Sequence, residues 1–175
     1  MVRRPDPLSM AGELRRVAVA LGSNQGDREA HLVYALSKLR TVLSELSVST
    51  FIETEPEGVG PQRAFLNAAA LGLSRAEPLE LLRELQAIEW ARGRDRPFAG
   101  APRTLDLDLI LVGDLVVSAT GIEVPHPRFR DRLFVLRPLA EIAPDLVDPV
   151  SGLTVGALLA KTGRGEGVSG VRRAR

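Results

Sequence analysis

The clearest alternation of hydrophobic and polar positions lies in PRTLDLDLIL, residues 102–111. Successive residues of a β-strand face opposite sides of the sheet, so Thr104, Asp106, Asp108 and Ile110 would share one face. The other face, expected to pack on the core, would hold Leu105, Leu107, Leu109 and Leu111. Alternate Cα atoms on a strand are about 6.6–6.8 Å apart, so the two carboxylates would stand side by side.

Five earlier segments also show regular periodicity. Strand-like runs occupy residues 15–21, 46–55 and 65–74, and apolar residues at helical spacing occupy residues 27–44 and 77–93. The order strand, helix, strand, strand, helix, strand predicts an α+β fold of the ferredoxin-like βαββαβ type. Such a fold has an antiparallel sheet with two helices on one face, which leaves the other face for loops or a ligand.

The C-terminal third predicts smaller elements. Residues 114–125 suggest short strands with a turn, and residues 134–143 and 155–160 suggest short helices. We therefore expect one domain over residues 14–160, preceded by a flexible leader (residues 1–13) and followed by a flexible tail rich in Gly and Arg (residues 161–175).

Composition narrows the class of protein. The 175-residue chain has 45% hydrophobic and 26% charged residues, no cysteine and a formal net charge of +1. It therefore has no disulfide framework, and no apolar run approaches the roughly 18 residues of a membrane helix. These features favour a cytoplasmic enzyme or binding domain, expected as a monomer, with neither nucleic acid nor membrane as partner.

The paired aspartates allow two interpretations. They could lie on a solvated polar face with Arg103 as counter-ion, or they could hold Mg²⁺, which often takes one or two carboxylates together with phosphate oxygens. Clustered arginines favour the second interpretation, because guanidinium groups pair bidentately with phosphate. The clusters before and after the strand comprise Arg92, Arg94, Arg96, Arg103, Arg128, Arg130, Arg132 and Arg137.

Five motifs occur together in a characteristic order: ALGSNQGD, ETEPEGVGPQRAFLNAAA, IEWARGRDR, APRTLDLDLIL and VPHPRFRDRLFVLRPLAEIAPDL. From about Val17 to Asp148 the chain resembles the 6-hydroxymethyl-7,8-dihydropterin pyrophosphokinases. The resemblance implies a ferredoxin-like fold and transfer of the terminal diphosphate of ATP to the pterin hydroxymethyl group, with release of AMP, in folate biosynthesis.

The same resemblance implies roles for individual residues. Asp106 and Asp108 would bind two Mg²⁺ ions and, with Arg94 and Arg103, would form the catalytic set. The nucleotide, ATP as co-substrate, would contact Gln86, Glu89, Arg94, Arg96, Arg103, Leu109, Ile122, His126 and Arg132. The pterin would contact Thr54, Glu57, Phe65, Asn67, Asp106 and Phe134.

Some positions depart from the family pattern, and two other functions stay open. Gly100, Glu123 and Pro127 differ from residues of some relatives, so the adenine contacts are not fixed by the resemblance. Trp90 is interpreted as a packing or surface residue. The alternatives are a metal-dependent nucleotidyl transferase of palm type, which usually needs a further carboxylate, and a non-enzymatic ferredoxin-like module that binds RNA or a small ligand.

Overall fold

The computed structural model describes residues 12–56, 58, 60–94 and 98–164, and the backbone of 172–173. Its strands are β1 (Arg15–Ser23), β2 (Ser44–Val48), β3 (Ile52–Thr54), β4 (Phe65–Ser74), β5 (Asp106–Val112), β6 (Val117–Ala119), β7 (Ile122–Val124) and β8 (Arg172–Arg173). Its helices are α1 (Arg28–Val42), α2 (Pro78–Ala91), α3 (Leu133–Ile142) and α4 (Val155–Gly163), with a 3₁₀ turn at Phe129–Asp131. The predicted order of the main elements is confirmed.

The sheet is antiparallel, with the strand order β5-β1-β4-β3-β8 and with β2 also paired to β4. Strands β1 and β4 are fully paired, from Arg15 opposite Ser74 to Ser23 opposite Leu66. β6 and β7 form a separate hairpin. The predicted α+β ferredoxin-like arrangement is therefore the one observed.

The segment 46–55, predicted as one strand, is two strands. At the break, the N–H of Ser49 donates to the carbonyl of Ala69 at 2.9 Å, while the N–H of Ala69 donates to the Ser49 side-chain hydroxyl, also at 2.9 Å. The hydroxyl replaces a backbone acceptor, so β2 and β3 pair with different parts of β4. Helix α1 also ends two residues before the predicted Ser44, because Ser44 already pairs with β4.

Helices α1 and α2 cover one face of the sheet, as predicted. The core between them and the sheet includes Val19, Leu39 and Leu85, all nearly inaccessible to solvent. Full burial of such a side chain contributes about 1.5–3 kcal/mol. Local signals fix where the helices begin: the Asp27 carboxylate accepts from the N–H of Ala30, and Pro78 occupies the first turn of α2.

The opposite face is only half open. Helices α3 and α4 pack over its other half, where a second core joins Ala18 and Leu71 of the sheet to Leu136 and Leu158 of the helices. The expectation that this face would be left for loops or a ligand thus holds only near the Asp106 end of β5. The two C-terminal helices were predicted, but their place on the sheet was not.

A β-bulge interrupts the alternation in β5. Val19 pairs with Leu109 and Ala18 pairs with Leu111, so Ile110 is the extra residue. Ile110 and Leu111 consequently both pack in the second core, whereas Leu109 stays in the first. The prediction that Leu111 would share a face with the other leucines is wrong, since an inserted residue reverses the facing of every residue beyond it.

The predicted tail boundary also needs correction. Helix α4 continues to Gly163, and the hydroxyl of Thr162 donates to the carbonyl of Arg130 at 3.0 Å. Residues 161–163 are therefore part of the folded domain, and the backbone of 172–173 pairs with β3. Residues 1–11 of the predicted leader, and 165–171 and 174–175 of the tail, lie outside the described residues. Across the described chain, no helix has the length and apolar character needed to span a membrane.

Candidate active site

A cleft with about 770 Å³ of empty space, including its open mouth, lies over the uncovered half of the sheet. Its floor follows from strand register, because Gly22 pairs with both Asn67 and Asp106, and Ala20 pairs with Asp108. Paired residues share a face of a sheet, so the amide and both carboxylates point into one space. The cleft is lined by Ala20, Leu21, Gly22, Thr54, Glu55, Phe65, Asn67, Gly100, Arg103, Asp106, Asp108, Arg132 and Phe134.

Asp106 is held by two guanidinium groups. Arg103 Nη1 lies 2.6 Å from Asp106 Oδ2, and Arg94 Nη2 lies 2.8 Å from Asp106 Oδ1. Arg103 precedes β5 and Arg94 follows α2, so two separate segments converge on one carboxylate. Positive charge is thus already concentrated at the position where the sequence predicts a polyphosphate.

Asp108 is less well compensated. Arg132 Nη1 lies 3.8 Å from Asp108 Oδ2, and His126 Nε2 lies 4.0 Å from the same oxygen. Burial, together with the charge of the neighbouring Asp106 carboxylate, raises the pKa of Asp108 to about 6 despite the opposing effect of the nearby arginines. Additional positive charge at this point would stabilise the ionised carboxylate.

His126 presents a neutral imidazole toward Asp108. Burial lowers its pKa to about 4, helped by the positive charge of Arg132. Its Nδ1 accepts a hydrogen bond from the N–H of Arg128 at 3.1 Å. In a neutral ring with an accepting Nδ1, the proton resides on Nε2, so the atom facing Asp108 is a hydrogen-bond donor.

Glu89 is a buried carboxylate that organises the base of the arginine cluster. It is 2% exposed, it accepts a hydrogen bond of 2.6 Å from the N–H of Leu107, and it forms an ion pair with Arg94. Burial raises the pKa of Glu89 to about 7. Arg94 pairs with both Glu89 and Asp106, so Glu89 fixes the Arg94 guanidinium beside Asp106, the first acid of β5.

The opposite end of the cleft suits a flat polar heterocycle. Asn67 Nδ2 donates to Thr54 Oγ1 at 2.6 Å, which orients the amide. Phe65 and Phe134 line the same space, and the Arg132 guanidinium lies 5.5 Å from the Phe134 ring centroid. Aromatic faces bind flat rings by stacking, and an oriented amide can form hydrogen bonds with donors and acceptors at the edge of a ring.

Three loops around the cleft are joined by two polar side chains that the sequence did not single out. The buried Asn24 exchanges hydrogen bonds with Arg103 and donates through Nδ2 to Gln62 Oε1 at 2.9 Å. Gln62 Nε2 in turn donates to the carbonyl of Gly100 at 2.7 Å. An asparagine between a strand and a helix is a common turn residue, so only the tertiary contacts reveal this function.

A second cleft, with about 510 Å³ of empty space, opens beside the last turns of α2. It is lined by Gln86, Glu89, Trp90 and Arg94. Three of these were predicted to bind the nucleotide, whereas Trp90 was interpreted as a packing or surface residue.

The structure brings most of the predicted site residues to these two clefts. Three described residues of the predicted site line neither cleft: Leu109 and Ile122 pack with the first core, and His126 lies beside Asp108, with its Nε2 4.0 Å from Asp108 Oδ2. Glu57 and Arg96 lie outside the described residues. The substrate and metal contacts predicted for all of these residues stay predictions.

Comparison with known proteins identifies the family of the chain. Residues 18–144 match the family model described as 7,8-dihydro-6-hydroxymethylpterin-pyrophosphokinase (HPPK). The 2-amino-4-hydroxy-6-hydroxymethyldihydropteridine pyrophosphokinase of Bacillus subtilis is 44% identical over 126 residues, which cover 71% of this chain and 75% of that protein. The protein of the same name from Pseudomonas aeruginosa is 39% identical over 135 residues, covering 76% and 83%.

Longer proteins contain a similar region. The folic acid synthesis protein fol1 of Pneumocystis carinii is 36% identical over 146 residues, but the match covers 83% of this chain and only 20% of that protein. The crystal structure of wild-type Plasmodium falciparum HPPK-DHPS with SDX-DHP superposes with a TM-score of 0.68 at 12% identity, covering 85% of this chain and 44% of that one. The chain belongs to the 7,8-dihydro-6-hydroxymethylpterin-pyrophosphokinase family.

Proposed function

We propose that the chain transfers diphosphate from ATP to the hydroxymethyl group of 6-hydroxymethyl-7,8-dihydropterin, giving AMP and the pterin diphosphate in folate biosynthesis. One observation carries the proposal: the two acids of β5 and the oriented amide of Asn67 line a single cleft. A reaction between a polyphosphate and a pterin alcohol needs both kinds of group within one enclosed space.

The pterin would lie at the Asn67 end of the cleft. Asn67 and Thr54 would bind the polar edge of the ring, while Phe65 and Phe134 would contact its faces. The hydroxymethyl group would then point along the sheet toward Asp106. Glu57 is also proposed to contact the pterin, on the basis of its position in the sequence motif alone.

Magnesium fits the acid pair. Asp106 and Asp108 lie on one face of β5, and the burial that raises the pKa of Asp108 would be offset by a cation. When bound, two Mg²⁺ ions would neutralise phosphate charge and align the diphosphate for in-line transfer. Within the described residues, no group of three or more Asp, Glu, His or Cys side chains is arranged so that together they could hold a metal ion. The further carboxylate usual in a nucleotidyl transferase palm is therefore not found among them.

The protein's own cations would do the remaining electrostatic work. Arg94 and Arg103 already border Asp106, and Arg132 borders Asp108. These groups would bind the triphosphate and stabilise the charge that develops as the bond to AMP breaks. The neutral His126 would donate a hydrogen bond from its Nε2–H to a phosphate oxygen, and it would not take up the proton of the attacking alcohol. Arg96 is also proposed to bind the triphosphate, on the basis of its position in the sequence motif alone.

The decisive test is formation of AMP from ATP and Mg²⁺ with and without 6-hydroxymethyl-7,8-dihydropterin. We expect AMP and pterin diphosphate in equal amounts, and only when the pterin is present. The matched control is Asp108→Asn, which preserves shape but removes the charge. AMP formation independent of the pterin, or full activity of the Asp108→Asn variant, would contradict the proposal.

We further propose that residues 14–160 form the pyrophosphokinase domain, with α4 extending it to Gly163, and that it acts as a cytoplasmic monomer on small molecules alone. ATP is a cytoplasmic metabolite, and most of the residues proposed to bind the two substrates line clefts of a single chain. Sedimentation equilibrium should give a mass close to 18.9 kDa, and a concentration-dependent dimer would contradict this assignment.

A further inference from the structure

The second cleft contains a residue whose exposure is unusual. Trp90 is the only tryptophan in the chain, and it is 69% exposed at the end of α2. A tryptophan offers one of the largest apolar surfaces of any side chain, and most tryptophans are largely buried. Trp90 belongs to neither of the two cores, so core packing does not explain its presence.

The position of Trp90 on the helix places it beside polar groups suited to a nucleoside. Gln86 and Trp90 are four residues apart in α2, and such residues share a helix face. Both line the second cleft together with Glu89 and Arg94. The wall of this cleft therefore combines an aromatic surface with the side-chain amide of Gln86.

The second cleft is connected to the acid pair through one side chain. Arg94 pairs with Glu89 and lies 2.8 Å from Asp106, which lines the first cleft. An extended ligand with phosphates near Asp106 would therefore pass Arg94 before reaching Gln86 and Trp90. The order of groups along this path, from acids through arginine to amide and indole, matches a ligand with a charged end and an aromatic end.

We propose that the indole of Trp90 packs against the nucleoside of ATP and helps to set the affinity for the nucleotide. The inference rests on the proposed function, because it assigns the aromatic end of that co-substrate to the second cleft. Stacking of a base on an aromatic side chain is sequence-tolerant, so Trp90 would contribute affinity for purine nucleotides without selecting strongly among bases.

The uniqueness of Trp90 makes a direct binding test possible. Emission from the wild-type protein, excited at the red edge of indole absorption, reports on Trp90 alone. Titration with α,β-methylene-ATP and Mg²⁺ should change the intensity or wavelength of that emission. Tripolyphosphate with Mg²⁺, which has the phosphates but no nucleoside, should leave it unchanged while still competing with ATP for the enzyme.

Steady-state kinetics test the energetic contribution. Trp90→Ala should raise the KM for ATP by about 5- to 30-fold with the KM for the pterin unchanged, and Trp90→Phe should recover part of the loss. The matched control is Leu79→Ala, an exposed residue on the same helix, about 16 Å away by helical rise, which should change neither constant.

The possible outcomes distinguish failure of the Trp90 contact from failure of the proposed function. Unchanged emission at a concentration of analogue that inhibits AMP formation, or an unaltered KM for ATP in Trp90→Ala, would refute the contact. An emission change of equal size with tripolyphosphate would also refute it, since it would reflect a response to phosphate alone. Absence of AMP formation by the wild type would instead refute the proposed function, while the titration would still show whether Trp90 contacts a nucleotide.

Discussion

Asn24 and Arg103 are joined by two reciprocal hydrogen bonds: the N–H of Asn24 donates to the carbonyl of Arg103 at 3.1 Å, and the N–H of Arg103 donates to Asn24 Oδ1 at 2.8 Å. Asn24 is 2% exposed. The loop after β1 thus fixes the backbone of the residue whose guanidinium holds Asp106. Asn24 is therefore a positioning residue for the acid pair.

Asn24→Ala should lower kcat by about tenfold or more, because loss of a buried hydrogen-bond partner costs about 1–3 kcal/mol and leaves Arg103 less well fixed. Asn24→Asp retains the oxygen that accepts from Arg103 but loses the amide that donates to Gln62, so it should retain more activity than the alanine variant. Steady-state kinetics and thermal unfolding of both variants provide the measurement. Equal kcat for wild type and Asn24→Ala would contradict the positioning role.

Asp108→Asn should lower kcat by at least about 100-fold, which is the loss typical of removing one group that stabilises charge in the transition state. It should have little effect on the affinity for the pterin. It should also change the pH dependence of stability. Burial raises the pKa of Asp108 to about 6 in the folded protein against 3.8, so ionisation opposes folding progressively as the pH rises from 3.8 to 6. When both proteins are measured without metal, Asp108→Asn should therefore be more stable than wild type, and the difference should increase as the pH rises from 3.8 to 6.

Mg²⁺ provides a second measurement on the same pair. A ligand that binds only the folded state raises its stability, so Mg²⁺ with the nucleotide analogue should raise the Tm of wild type. The rise should be much smaller for Asp108→Asn. A full thermal shift in the variant would show that the metal is bound elsewhere.

Glu89→Gln isolates the ionisation of the buried acid beneath Arg94. The folded-state pKa of Glu89 is raised from 4.5 to about 7, mainly by burial. The stability advantage of wild type over the variant should therefore be greatest below pH 4.5 and should decline as the pH rises toward 7. Chemical denaturation of both proteins at pH 5 and pH 8 measures the difference. A difference that does not depend on pH would show that Glu89 titrates normally.

Gly22→Ala should impair pterin binding through Asn67. A Cβ at Gly22 would lie 3.0 Å from Asn67 Oδ1 and 3.7 Å from Phe65 Cδ1, so the oriented amide would have to shift. We expect the KM for the pterin to rise by about tenfold, equivalent to about 1.4 kcal/mol, with little effect on the KM for ATP. Gly163→Ala, where a Cβ meets nothing within 4 Å, is the control. An unchanged pterin KM would remove Asn67 from the proposed pterin site.

Asp148→Ala should destabilise the segment that holds Arg132. Asp148 is fully buried and accepts from Arg130 Nε at 2.6 Å and Arg130 Nη2 at 2.8 Å. Burial alone would raise the pKa of Asp148, but the hydrogen bonds from Arg130 and Ser151 lower it to about 2. The variant should lose about 3–5 kcal/mol at neutral pH, typical of breaking a buried pair.

The pH dependence checks this assignment. Since the pKa of Asp148 is lowered from 3.8, its stabilisation should be complete above 3.8 and should disappear as the pH falls toward 2. Asp145→Ala, which breaks the exposed ion pair with Arg16, should have a much smaller effect. Similar losses in the two variants would show that burial of the Asp148 pair contributes nothing.

The local pattern predicted much of this molecule, because strand and helix periodicities are set by backbone geometry. It predicted the two long helices, the antiparallel sheet and the shared face of Asp106 and Asp108. It did not predict the reversal at Leu111, because a bulge depends on which residues the neighbouring strand and the helices behind it offer for pairing and packing. The break between β2 and β3 was not predicted for a similar reason, because it depends on the hydrogen bonds that Ser49 makes with Ala69 on the neighbouring strand.

The order of elements, the acid pair and the family motifs could be identified from the amino-acid sequence, since these features depend on spacing along one segment. Three features became visible only in the folded chain: α3 and α4 leave half of a sheet face open, Asn24 holds Arg103, and Trp90 borders a cleft. Each of these depends on residues distant in sequence that meet in space. Their contacts are selected by the packing of the whole chain, which a local pattern does not encode.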